Sequence, residues 1–315
     1  MTLVTLADVQ AAAQRIAGAA VRTPLLPAPG VDPSGRLWLK PESLQPTGAF
    51  KIRGATNAVR SLPAEVRSAG VVTHSSGNHG QALAYAARMA GIACCVVVPE
   101  GAPAVKVEAI RAQQAEIVLV PPDRRLSEAQ RIAADRGATL IPPFDHPAVI
   151  AGQGTIGLEI VADLPDVDVV LTQVGGGGLI SGVAVALKAL RPSVQVIGVE
   201  PELAAETAQA LRTGELVAWP VEQTYRTIAD GVRTCPSALT FAHIQAYVDQ
   251  IVTVSEAEIR SAVGVLAHRA RLVAEPSGAL TVAAYLHRSA QLPQGKTVAV
   301  VSGGNADPEL LRSLL

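Results

Sequence analysis

Lys51 stands in an unusual setting for a charged side chain, in the run QPTGAFKIRG over residues 45–54. Phe50 and Ile52 flank it, and small residues crowd both sides. A lysine held in an apolar pocket has a depressed pKa and becomes a nucleophilic amine, as Schiff-base chemistry with an aldehyde requires. A solvated lysine at a helix start is the alternative reading of the same residues. This segment alone leaves the two open.

Three further segments bear on that choice. Thr73-His74-Ser75-Ser76-Gly77-Asn78-His79-Gly80-Gln81 falls between a strand pattern and a helix pattern. Hydroxyls and an amide beside the free N–H groups of a helix start suit a carboxylate; an ordinary capped loop is the plainer alternative. Gly175, Gly176, Gly177 and Gly178 follow a strand and open a helix, where bare backbone amides can close on a phosphate. The spacing is not GxGxxG. A dinucleotide reading, with Glu200 ending the next strand, would leave Lys51 and the serine-asparagine loop without roles. Ser302-Gly303-Gly304-Asn305 follows another strand, where a hydroxyl could bond a ring nitrogen or simply begin a tight turn. Glu200 and Glu206, with the Ala204 carbonyl between them, could hold a hard cation through oxygens or form a solvated acidic loop.

The elements that must position these residues alternate from about residue 69. GVVTHSS, IACCVVVP, AEIVLVPP, ATLIPP, VDVVLTQV, QVIGVEP and TVAVV read as strands, with helix patterns between most of them. Near-continuous Val/Ile/Leu runs mark parallel strands buried on both faces, and the alternation means βαβ units. Ligands in such sheets sit at the carboxyl ends of strands, where the motifs fall. The Pro-rich segment PPFDHPAVIAG reads as a crossing between lobes. The first twenty residues read as an amphipathic helix with Asp8 near its start, lacking a signal peptide's basic and apolar regions.

The 315 residues fit one large or two medium lobes. Hydrophobic residues make up 49% and aromatics only 3%, so the core must be aliphatic. A net charge of -1 gives no electrostatic case for nucleic acid or an anionic membrane, and no charge-free stretch would span a bilayer. Cys94 and Cys95, in an apolar strand pattern, read as core rather than as a redox pair or metal site. With Cys235 they make three cysteines, an odd number, which suits a reducing cytoplasm.

Taken together, PTGAFKIRGA, VVTHSSGNHGQALAYAAR, PAVIAGQGTIGLEI, GGGGLISG, GVEP, TIADGV, EPSGA and VSGGN resemble the fold-type II pyridoxal phosphate enzymes. Within them the likeness is to the serine/threonine dehydratase and serine racemase group. It runs over nearly the whole chain in the family's order. It implies an α/β, tryptophan synthase beta-like fold of two open parallel-sheet lobes with helices on both faces. Residues 1–67 and 146–315 would form the large cofactor-binding domain. Residues 68–145 would form a small mobile domain closing over the substrate.

The resemblance also implies roles. Lys51 would carry pyridoxal 5'-phosphate as a Schiff base and act as the proton-transfer base. Phe50 would pack on the cofactor ring, Asn78 would bond its phenolic oxygen, and Ser302 would face the pyridine nitrogen. Gly175 to Gly178, with Leu179, would hold the phosphate. Ser75, Asn78, His79 and Gly80 would receive the substrate carboxylate. Ser76 would be the opposite-face acid/base of racemases. Glu200, Ala204 and Glu206 would bind Mg2+ or another divalent cation, although aspartate is commoner at the last position. A homodimer is implied. The reaction would be ammonia release from L-threonine or L-serine, which PPFDHP favours. The alternative is serine racemisation or 3-hydroxyaspartate elimination, which Ser76 favours. Relatives acting on dicarboxylic substrates carry a small-domain arginine; alignment puts Ser127 near it, just after Arg124 and Arg125.

Overall fold

Ten strands form two separate sheets in a computed structural model that describes residues 2–75, 77–102 and 104–314. In chain order they are β1 (Leu26–Pro27), β2 (Leu37–Pro41), β3 (Val71–Thr73), β4 (Cys94–Pro99), β5 (Glu116–Val120), β6 (Thr139–Leu140), β7 (Val169–Gln173), β8 (Gln195–Pro201), β9 (Gln250–Val254) and β10 (Thr297–Val301). The larger sheet runs β1-β2-β10-β7-β8-β9, and the smaller runs β5-β4-β3-β6. All neighbours are parallel except β1 on β2, a two-residue antiparallel edge.

The aliphatic runs are buried as their patterns imply. β7 and β10 are buried along their whole length, because helices cover both faces of the sheet. Cys94 and Cys95 lie in β4, with burial first among the causes that push their thiols up to about 12 and about 11. Such thiols are poor nucleophiles and poor ligands.

Local signals set the helix ends. Thr5 and Asp8 make a reciprocal capping box before the helix Leu6–Ile16. Gly91, with φ 67°, ends the helix Asn78–Ala90. The Pro-rich crossing is shorter than its composition implies. A helix runs over Pro147–Asp163, with the His146 ring accepting the Ala148 N–H at 3.1 Å. Proline is tolerated in the first helical turn, where its missing N–H costs nothing, so Pro147 begins the helix instead of preventing it. No helix among the described residues is long and apolar enough to cross a membrane.

The helix Lys51–Ser61 lies at the seam between the sheets. Ile52, Ala55, Ala58 and Val59 share one apolar cluster with Val71, Leu83 and Val96 of the small-sheet layer and Val149 of the Pro147 helix. Its other face is held by buried charge. Arg53 donates to both carboxylate oxygens of Glu42 at 2.7 and 2.9 Å, and to those of Glu159 at 2.6 and 2.8 Å. Lys40 completes the group, donating to Glu159 at 2.6 Å. Two cations and two anions thus close a neutral, hydrogen-bonded set, the condition under which buried charge is tolerated.

Candidate active site

Lys51 begins its helix at the floor of a cavity of about 530 Å³ between the two sheets. Its ammonium donates to the Pro143 carbonyl at 2.7 Å and lies 5.2 Å from the centre of the Phe50 ring. Burial alone lowers its pKa to about 8, because the apolar wall disfavours the charged form. The amine is therefore nucleophilic near neutral pH.

The loop before Lys51 is stitched to the end of β10. Phe50 N–H donates to the Ser302 carbonyl at 3.0 Å, Ala49 bridges Gly303, and Gly304 N–H donates to the Gly48 carbonyl at 2.9 Å. Ser302 is thereby fixed on the cavity wall beside Lys51. Gly48 has φ +68°, and a Cβ there would meet the Asn305 side chain at 2.2 Å, so only glycine fits.

Gly175 to Gly178 and Leu179 form another part of the wall, at the start of the helix Gly178–Leu190. A Cβ at Gly176 would strike the Phe144 ring at 2.2 Å, and Gly177 has φ +83°. The result is bare backbone with the helix's unpaired N–H groups beside it, which fits a phosphate. A buried amine and an anion cradle on one cavity are the donor set that a phosphorylated aldehyde needs.

Ser75, Asn78 and His79 also line the cavity, whereas Gly80 does not appear on its wall. Gly80 packs inside the helix turn, where a Cβ would lie 2.3 Å from the Ser75 carbonyl. The His79 ring pairs through Nε2 with the Ile141 carbonyl at 3.0 Å. Burial first, then the Lys51 charge, lowers its pKa to about 3, so it is neutral. His79 can offer the cavity its main-chain N–H but no charge. Ser76 lies outside the described residues.

Glu200 and Glu206 are both buried, and Ala204 lies buried between them, away from this cavity. Glu200 accepts the N–H groups of Thr207 and Ala208 at 3.0 and 2.8 Å. Desolvation raises it to about 7, and Glu206 pushes it the same way. Neither acid has a basic partner among the described residues. Two uncompensated acids with a nearby carbonyl fit a hard cation. No group of three or more His, Cys, Asp or Glu side chains suited to a metal occurs among the described residues.

Several cavity residues escape motif reading. Glu275 accepts the Asn78 amide at 2.6 Å, and Asn305 donates to Asn78 at 2.8 Å, fixing that amide from both sides. The only local signal for Glu275 is an acid before the Pro of EPSGA, at a helix N-cap. Gln173 closes the end of β7, donating to the Gly278 and Val300 carbonyls at 3.0 and 2.6 Å. Arg125, not Ser127, reaches the cavity from the small-sheet side, and Arg233 faces it from the other, 5.0 Å from the centre of the Tyr225 ring. Neither arginine has an ion-pair partner among the described residues.

Two parallel sheets with a neutralisable lysine and a glycine-walled anion site at their seam define an enzyme of amine chemistry that uses a phosphorylated carbonyl cofactor. The family model described as pyridoxal-phosphate dependent enzyme matches residues 16–303, and the chain belongs to that family. It is 43% identical to the L-threonine ammonia-lyase of Thermotoga maritima, covering 99% of this chain and 78% of the relative. It is 40% identical to the serine racemase of Dictyostelium discoideum, over 100% and 99% of the two chains. The solved structure of maize serine racemase superposes with a TM-score of 0.94 at 36% identity, covering 99% of this chain and 97% of the other. The fold is therefore that of the fold-type II enzymes.

Proposed function

We propose that the protein is an ammonia-lyase that converts L-threonine or L-serine to a 2-oxoacid and ammonia by α,β-elimination. The observation that carries this reading is the buried Lys51 amine, held near pKa 8 beside a phosphate-sized glycine cradle. Pyridoxal phosphate bound there would supply the electron sink for loss of the α-proton and the β-hydroxyl. Lys51 is placed to exchange its amine with the substrate's and to take the α-proton at Nζ. Phe50 would pack against the cofactor ring, and Ser302, a neutral hydroxyl, would face its nitrogen; both line the cavity. Ser75 and the N–H groups at the start of the Asn78 helix receive the substrate carboxylate. The small-sheet wall, residues 68–145, closes to exclude water. A homodimer in a reducing cytoplasm is the expected setting.

The test is 2-oxoacid release from L-threonine, L-serine and L-threo-3-hydroxyaspartate side by side. Lys51→Ala should lose turnover with all three; keto-acid production retained by that variant would overturn the assignment.

Arg125 favours a second reading, in which a substrate with a distal carboxylate is preferred. Arg125 lines the cavity, its Nε donates to the Pro122 carbonyl at 2.9 Å, and it has no ion-pair partner among the described residues. Hydroxyaspartate turnover above threonine turnover, lost on Arg125→Ala, would select this reading; unchanged turnover in that variant would remove it. Racemisation is measured in the same samples by following D-serine. Ser76→Ala should abolish it while sparing elimination from the L-isomer.

A further inference from the structure

The cavity has one wall from each sheet's layer. Lys106 lies on the helix Ala104–Arg111, whose Ile110 packs in the small-sheet core. Asp230 begins the turn Asp230–Val232, whose Val232 packs in the large-sheet core. Both residues line the cavity, and their side chains form an ion pair across it. Among the described residues it is the only ion pair joining residues 68–145 to the rest of the chain.

Both partners sit where a small displacement would be felt in the site. Ile110 packs against Gly80, which lies in the first turn of the helix that Asn78 begins and against the Ser75 carbonyl. On the other side, Gly231 N–H donates to Ser277 Oγ at 2.9 Å, and the Val232 backbone presses on Gly175 of the anion cradle. The pair also reaches the buried acid of the cavity, since both charges act on Glu275. The Lys106 side chain is 17% exposed and that of Asp230 35%, so water screens the pair only in part. Screening of this kind leaves an ion pair that can bias a two-state closure without locking it.

We propose that Lys106 and Asp230 form a clasp across the cavity mouth that holds the small-sheet wall over a bound amino acid, making both positioning residues for the reaction. This rests on the reading of the cavity as an amino-acid site. The clasp acts on retention rather than on chemistry, so its loss shows in KM before kcat.

The test uses the holoenzyme with Lys106→Met, Asp230→Asn and the charge-exchanged double variant Lys106→Asp with Asp230→Lys. Each single change should raise KM for the preferred amino acid by about three- to fivefold and alter kcat by less than about twofold. The exchanged pair should return KM to within about twofold of the parent. Amide exchange over residues 104–111 should quicken in the single variants and slow again in the exchanged one. Single variants with unchanged KM and unchanged exchange would overturn the clasp, as would an exchanged pair no better than the two single effects combined. Should no amino acid be turned over, the ammonia-lyase reading fails, and amide exchange alone still decides the clasp.

Discussion

Glu275 is buried beneath Asn78, and its carboxyl is pushed up to about 7 from an ordinary 4.5. Burial is the main cause; Asp230 adds to it, while Lys106 and the Asn78 hydrogen bond pull the other way. Between those two pH values the folded protein holds a proton that the unfolded chain has released. Stability is therefore fully present below about 4.5 and is lost as pH rises towards 7. Glu275→Gln is neutral throughout and keeps an oxygen for the Asn78 amide. In the cofactor-free protein that variant should match the parent at pH 4.5 and exceed it at pH 8 by up to about 3 kcal/mol. Denaturant unfolding at the two pH values measures the gap. An equal gap at both would mean that packing, not the proton, is responsible. Lys51 was legible as chemistry because its apolar neighbours are its neighbours in sequence. Glu275 was not, since its partner Asn78 lies 197 positions away.

The Lys51 helix is the element on which the site depends, and Arg53 fixes it from below. Arg53 bonds Glu42 and Glu159 with two donors each, in a setting almost closed to water. Removing one member of such a group leaves uncompensated buried charge, costing about 3–5 kcal/mol. Arg53→Ala should lower the thermal midpoint accordingly, and Arg53→Lys should recover little, because an ammonium cannot reproduce the planar fork. Recovery by lysine to the parent midpoint would show that the helix is held by its apolar face alone. Most elements were legible: the strands β3, β4, β5, β7, β8 and β10 fall within aliphatic runs, and Gly91 stops a helix as its type implies. The two-residue edge strand β1 and its neighbour β2, with Trp38 and Lys40 in it, carry no comparable run, and the opposite edge β9 carries the run IVTV without a following glycine motif to mark it. The tetrad was invisible because Lys40, Glu42, Arg53 and Glu159 are polar residues that look like surface until the fold encloses them.

At the scale of the whole molecule, the acids Glu200 and Glu206 connect to the cavity through one loop. The Glu206 charge acts on Cys235, next to Thr234, which lines the cavity, and three residues from Val232, which presses on Gly175. A cation held by Glu200, Glu206 and the Ala204 carbonyl would relieve the repulsion between the acids and brace that loop. Such binding favours the folded state by mass action, about 2.7 kcal/mol at a hundredfold excess over Kd. Mg2+ or Ca2+ should therefore raise the thermal midpoint of the holoenzyme, chelation should lower it, and Glu206→Gln should abolish the response. Because the loop also carries Asp230, the cation should lower KM as well as raise the midpoint. A higher midpoint with KM unmoved would confine the cation to stability. No response to either ion would leave Glu200 as a buried acid without a cation, and the midpoint should then fall as pH rises from about 4.5 towards 7, where Glu200 ionises in the folded protein.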